Sequence, residues 1–311
     1  MKGFVNFLVP VLVRVLYYLS LLLPLNVYIG LFAKTSSLYF RLVTRYRRKI
    51  RENLEIAFGP SLEDQEKEKI TNSVAENVGS HFAETVITTT PKQETVLAKI
   101  SVSGIENLER ALSQGKGIIA VSAHLGYFTV LSIKMIKEGY PFTMLIRDPD
   151  SQEIVKLFRK LQKQQGGHFI PINKWRVALR DILGCLRKNE VVCFLSDERK
   201  KGSDVEVDFF GKTALTATGP AVISLKTGAP IVPIFIVRTG EDTHTIFIEP
   251  QLEINYRGDI PETVTTVMAD CTKIIEKYVR KYPEQWFWFK NRWSRDWKDL
   301  KQAKDTLLTF S

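Results

Sequence analysis

The 311-residue chain contains four histidines, His81, His124, His168 and His244. An imidazole is the side chain best suited to accept a proton near neutral pH, so these four are where acid–base chemistry is sought first. His81 falls inside a helical pattern, His244 opens an apolar strand pattern, and His168 follows Gly166-Gly167 at a strand start. All three read as structural. His124 differs, because it stands where an apolar run ends, in Val121-Ser122-Ala123-His124-Leu125-Gly126. In open α/β sheets, sites collect at the carboxyl ends of strands. Gly126 lets the backbone turn closely into the next segment. Asp197, with Glu198 after it, closes another apolar run and is a second candidate by position. Arg147 closes a third, and its planar fork suits a phosphate. Arg159 lies in an amphipathic stretch. Cys185, Cys193 and Cys271 are odd in number and lack metal-ligand spacing. No metal or cofactor is expected, and Cys193, inside an apolar run, reads as a buried small hydrophobe.

The elements that position these residues follow from periodicity. Asp64 to Thr88 reads as a helix whose buried face carries Ile70, Val74, Val78, Phe82 and Val86. Lys99 to Ser103 is a short strand. From Gly117 onward strands and helices alternate: a strand into Ser122, a helix from Phe128 to Lys137, a strand from Thr143 to Arg147, a helix from Ser151 to Gln165. They continue with a strand from His168 to Ile172, a helix from Lys174 to Lys188 and a strand from Val191 to Asp197. A helix within Ala214 to Lys226, strands from Ile231 to Arg238 and His244 to Glu249, and a closing helix from Thr263 to Lys281 complete the pattern. The stretch from Lys200 to Asp208 reads as exposed loop. Such alternation predicts an α/β domain with a mixed, largely parallel sheet flanked by helices.

Ahead of this domain, Phe4 to Ala33 is overwhelmingly apolar, interrupted by Asn6, Arg14, Ser20, Pro24 and Asn26. Its length suffices for a span, which takes about 20 apolar residues. It is too long for a signal peptide and lacks a small-residue cleavage site. Residues 1–33 are therefore expected to be an N-terminal membrane-anchoring helix and residues 34–311 the catalytic domain. Pro24, Asn26 and Arg14 leave open a broken hairpin in one leaflet or a helix lying in the interface. Lys34, Arg41, Arg45, Arg47, Arg48, Lys49 and Arg51 follow the run, which by the positive-inside rule is expected to place the domain on the cytoplasmic face of the membrane. The net charge of +10 calls for an acidic partner. No nucleic-acid recognition motif is present, and the basic block adjoins the apolar run, so membrane lipids are the expected partner. Trp286, Trp288, Trp293 and Trp297 are open to two readings, an interfacial belt or core packing.

Ser-Ala-His124-Leu-Gly-Tyr-Phe-Thr129 resembles the H-x4-D/E block of the lysophospholipid acyltransferase superfamily, and within it the lipid A late acyltransferases. Similar blocks follow in order: Leu145-Ile-Arg-Asp-Pro, Phe158-Arg159, Phe194-Leu-Ser-Asp197-Glu198, Phe209-Phe-Gly211-Lys-Thr, Thr218-Gly-Pro-Ala, Thr227 to Pro233, and Pro283 to Trp293. The resemblance implies transfer of a fatty acyl group from an acyl carrier protein or coenzyme A thioester to a hydroxyl of a glycolipid or phospholipid acceptor. It implies His124 as general base, Thr129 and Asp197 as its partners in catalysis, and Arg147, Arg159, Gly126, Glu198 and Gly211 as substrate contacts. One departure stands out: the family carboxylate falls at Thr129, which can accept a hydrogen bond but carries no charge. Asp197 or Glu198 could supply the acid instead. The alternative is a catalytically silent relative that binds lipid or acyl carrier.

Overall fold

Apolar runs that must be covered on both sides build the centre of this protein. The structure, a computed structural model, describes residues 14–147, 168–198, 204–256, 258–290 and 292–293. After helical backbone over 14–22 come α1 (Leu25–Leu42), α2 (Thr44–Phe58), α3 (Asp64–Ile87) and α4 (Gln93–Leu97). Next are β1 (Ile100–Ser103), α5 (Ile105–Leu112), β2 (Ile118–Ser122), α6 (Phe128–Lys137), β3 (Phe142–Ile146), β4 (His168–Pro171), α7 (Trp175–Arg187) and β5 (Val191–Leu195). The chain continues through β6 (Asp204–Phe209), β7 (Lys212–Ala217), α8 (Gly219–Thr227), β8 (Ile231–Arg238), β9 (His244–Ile248) and α9 (Ile260–Lys281).

Seven strands form one sheet in the order β1-β9-β8-β2-β5-β3-β4. β8, β2, β5, β3 and β4 run parallel, and the antiparallel β8–β9 pairing turns β9 and β1 the other way. The expected mixed, largely parallel sheet flanked by helices is therefore present. β2 shows why its sequence has no polar alternation. Ile119 and Val121 point into one apolar core, which includes Ala178, Ile182, Ala221 and Val267, whereas Ile118 and Ala120 point into the other, with Leu108, Val130 and Met135. A strand covered on both faces reads as a continuous apolar run.

Two sequence expectations need correction here. The stretch before Asp208 is not all exposed loop, because β6 and β7 form an antiparallel hairpin. Its Val205, Val207 and Phe209 join the core, alternating with outward Glu206 and Asp208. Phe82 is 44% exposed although its period puts it on the buried face of α3. Its ring meets Phe32 of α1 at 5.8 Å, at the rim of the face that α1 covers. That face is lined instead by Gly79, Ala83 and Ile87. A Cβ on Gly79 would lie 2.2 Å from the Phe32 carbonyl oxygen, so only glycine admits α1 this closely.

The N-terminal apolar run also departs from the expected spanning helix. Among the described residues no helix is long and apolar enough to cross a membrane. Proline at residue 24 has no N–H to continue the ladder, and helical backbone stops at residue 22 and resumes at Leu25. The Lys92 ammonium donates to the carbonyls freed at this break, those of Ser20 (2.7 Å), Leu21 (3.0 Å) and Leu23 (2.7 Å). Tyr28 is fully buried against Ala83, Ile87 and Val96, with Leu19 and Leu23 packed around them. The opposite side of this layer leaves Val15, Tyr18, Leu22, Val27, Leu31, Leu38, Tyr39 and Leu42 exposed. α1 runs without interruption through Ala33 and Lys34. The helix expected over Ser151 to Gln165 lies outside the described residues.

Candidate active site

Strand register brings His124 to Asp197. β2 and β5 are parallel neighbours with Ser122 beside Leu195, and each candidate lies two residues beyond that pair. The pairing is prolonged by the Ser196 N–H donating to the Ser122 carbonyl at 2.9 Å. His124 Nδ1 then sits 2.9 Å from Asp197 Oδ1, and the His124 backbone N–H donates to Oδ2 at 3.0 Å. The Trp286 indole N–H donates to the same Oδ2 at 2.7 Å. Burial works to raise the Asp197 pKa, but the neighbouring His124 and the hydrogen bonds from His124 and Trp286 outweigh it and hold the carboxyl below its ordinary range. Asp197 is therefore an anion fixed on three donors. With Asp197 on Nδ1, the bond fixes the tautomer and leaves Nε2 as the free lone pair. The His124 side chain is 15% exposed and that of Asp197 2%, so the imidazole and not the carboxylate meets solvent.

The segment after α9 closes the site from the other side. Gly126 N–H donates to the Gln285 carbonyl (3.0 Å) and Phe287 N–H to the His124 carbonyl (3.1 Å), with Leu125 and Trp286 bridged antiparallel. Gly126 is required in the crossing: its φ is +56° and a Cβ there would stand 2.1 Å from the Ile236 carbonyl oxygen. Trp286, Trp288 and Trp293 are buried, packing around Phe209, so they are core rather than an interfacial belt. Trp297 lies outside the described residues. Buried Arg292 donates to the Leu215 carbonyl and Thr216 Oγ1 (2.6 and 2.7 Å) and lies over the Phe209 ring. Burial lowers its pKa to about 10, with Asp197 and Asp204 opposing, so it remains a cation near the dyad carboxylate.

The other predicted residues fall into three groups. Glu198 Oε1 is 3.7 Å from His124 Nε2 and 2.6 Å from Lys290 Nζ, so it flanks the free face of the imidazole. Arg147 follows β3 at the same edge of the sheet, one strand beyond β5, and is exposed. Gly211 does not approach the dyad. It forms with Phe210 the two-residue turn between β6 and β7, both at positive φ (+70° and +59°), a requirement of hairpin geometry. Arg159 lies outside the described residues.

Thr129 is the instructive case. Its Oγ1 is 2.7 Å from Thr85 Oγ1 and 3.4 Å from His81 Nε2, and its bonding is to α3 rather than to His124. His81 had read as structural, yet it adjoins the site. Its ring stacks on Phe128 at 4.8 Å, and Phe128 in turn meets the His124 ring at 5.0 Å. Phe287 packs against both imidazoles, at 5.6 and 6.2 Å. Burial first, then His124, lower the His81 pKa to about 3, so His81 is neutral at physiological pH. No local sequence signal marked His81, and the Pro283 to Trp293 block did not place Trp286 or Phe287 at the dyad, because tertiary packing alone brings them here. Among the described residues no cluster of side chains could hold a metal ion.

Comparison with known proteins agrees with this architecture. The family described as bacterial lipid A biosynthesis acyltransferase matches residues 4–295. The Escherichia coli lipid A biosynthesis palmitoleoyltransferase is 28% identical over 247 residues, covering 78% of this chain and 76% of that protein. The Escherichia coli lipid A biosynthesis lauroyltransferase is 28% identical over 285 residues, 88% of each chain. A phosphatidylinositol mannoside acyltransferase of Mycolicibacterium smegmatis is 24% identical over 207 residues, 66% of each. With nearly its whole length matched by one family and its His124 block at the carboxyl edge of the sheet, the chain belongs to the bacterial lipid A biosynthesis acyltransferases.

Proposed function

We propose that this protein is an acyltransferase that moves a fatty acyl group from an acyl carrier protein or coenzyme A thioester to a hydroxyl of a glycolipid acceptor of the lipid A type. The observation that carries the reading is the His124–Asp197 pair at the carboxyl ends of β2 and β5, with Asp197 on Nδ1 and Nε2 left to act as the base. In this scheme Nε2 takes the acceptor hydroxyl proton as the oxygen attacks the thioester carbonyl. The new ester C–O bond forms, the C–S bond breaks, and the leaving thiolate recovers the proton from the imidazolium. Asp197 orients the ring and stabilises the cation, the part assigned elsewhere in the family to a carboxylate at position 129. Thr129 was the ground for a catalytically silent relative. A carboxylate already on Nδ1 favours the active enzyme. Glu198 with Lys290, and Arg147 with Arg159, are assigned to the acceptor, whose phosphate would suit the arginine forks.

The same proposal seats the protein on the cytoplasmic face of a bacterial inner membrane. Support comes from the exposed apolar side of the helical layer beside Arg41, Arg45, Arg48 and Lys49, an arrangement suited to an interface of lipid tails and anionic headgroups. The apolar face would enter one leaflet without crossing it. Free-thiol release from long-chain acyl thioesters tests the chemistry. Wild type should release thiol only when acceptor glycolipid is present, and Arg147→Ala should raise the acceptor concentration required. No release from either carrier with any lipid acceptor would return the chain to the silent reading. Sedimentation with membranes in high salt tests the seating, because apolar insertion is not screened.

A further inference from the structure

We propose that His81 is a positioning residue of the active site, and that position 129, where the family carries a carboxylate, is wired to His81 instead of to His124. The inference deepens the acyltransferase reading and rests on it for its kinetic arm.

Hydroxyl arithmetic fixes the direction of the bonds. Thr85 Oγ1 donates its single hydrogen to the His81 carbonyl at 2.8 Å. Toward Thr129 it can then only accept, so the Thr129 hydroxyl donates across the 2.7 Å contact. With that hydrogen used, Thr129 Oγ1 accepts at its 3.4 Å contact with His81, and His81 carries its proton on Nε2. The chain His81–Thr129–Thr85 is closed and uncharged. It pins the first turn of α6 against α3 and so holds Phe128, whose ring separates the two imidazoles. His124 approaches its partner from the opposite side, through Asp197. The two histidines thus have different partners on different elements, with one aromatic ring between them.

Charge explains why the chain is neutral. The groups that face His81 are His124, the Gly126 backbone and Tyr127 from the turn after β2, Phe128 and Thr129 from α6, Thr85 from its own helix and Phe287 from the closing segment. Glu84, the carboxylate of the same helix, is turned toward Arg238 (3.7 Å) and His244 (3.6 Å). A carboxylate at 129 would therefore meet His81 first and draw a proton onto it, placing a buried charge pair beside the dyad.

Ring-labelled histidine in the full-length protein gives a direct test, since only four imidazoles need assignment. Thr129→Val should move the His81 Nε2 resonance and leave the His124 Nδ1–H signal in place. Thr129→Glu should raise the titration of His81 by more than about two pH units and leave transfer equal to or below wild type. In turnover, His81→Leu should lower kcat about tenfold, a fraction of a full general-base contribution, with little change in KM. His81→Gln, which can still donate to Thr129, should recover most of it. The proposal is overturned if Thr129→Val moves His124 and spares His81, or if Thr129→Glu raises transfer while His81 stays unprotonated. The spectroscopic arms need no turnover, so an inactive wild type would defeat the acyltransferase reading and still leave the wiring measured.

Discussion

The turns after β2 and β5 and the helical layer ahead of β1 use their residues in opposite ways. In the turns, position is set by backbone pairing: two strands in register deliver His124 and Asp197 side by side, and each bond between them is short and polar. In the layer, position is set by shape, with Gly79 admitting Phe32 and Tyr28 filling the space between helices. The difference teaches where each region is vulnerable. The site should fail through single polar atoms with the fold intact, and the layer through lost volume with the chemistry intact until the fold gives way.

The largest effects should separate the regions most sharply. His124→Ala should cost transfer about 10⁴-fold, near the upper end for a general base, and Asp197→Asn about 10²-fold, with unfolding temperatures near wild type. Wild-type rates in Asp197→Asn would break the link between register and chemistry. Tyr28→Ala in the layer should cost about 3–5 kcal/mol of stability, the usual range for a buried aromatic. Leu22→Ala, on the exposed side, should leave stability within about 0.5 kcal/mol. Equal losses from the two in urea unfolding would mean that the layer does not pack as described. Gly126→Ala belongs to both regions, since a methyl group there strikes backbone. It should destabilise by at least about 1–3 kcal/mol through a strained φ, and lower activity with it.

A small effect on stability at neutral pH should come from His81→Phe, which keeps a stacked ring but loses the donor to Thr129. Its signature lies in acid. Folded His81 has a pKa of about 3 against an ordinary 6.5, so below 6.5 the unfolded chain binds a proton that the folded chain does not. Stability must then fall with pH across that window. Melting temperatures followed from about pH 7 to pH 4 should drop less steeply in His81→Phe than in wild type. Parallel curves would show that His81 is not held neutral by the fold.

Most of the sheet was legible because its strands carry an unambiguous signal. Val191 to Leu195 and Ile118 to Ser122 are buried on both faces, and strands so covered read as apolar runs. His124 and Asp197 were legible as strand-end residues, and Asp197 or Glu198 as the acid for His124, but which of the two lies on the imidazole was not, because strand order is a tertiary fact. The same limit hid His81, whose neighbours come from three separate elements. The β6–β7 hairpin was missed because Asp204 to Phe209 alternates with charged residues and resembles loop by composition. The apolar run before Ala33 was ambiguous for a related reason: hydropathy reports that a face must be covered and not whether protein or lipid covers it. Here α3 covers one side, and among the described residues Pro24 interrupts the helix.

The Lys92 clasp at the Pro24 break has a consequence for the order of assembly. It joins residues about seventy positions apart, as His124 and Asp197 are, and α1 meets α3 over still shorter separations, whereas the site is complete only when the closing segment brings Trp286 to Asp197 and Phe287 to His81. Local contacts close with less loop entropy and form early, and long-range parallel pairing comes late. We therefore expect the helical layer to be complete while the sheet is still forming, so that on the proposed reading the protein is seated before it is competent. Pulsed hydrogen exchange during refolding should find α3 amides protected ahead of those in β5 and β8. Simultaneous protection would instead make seating and competence a single event.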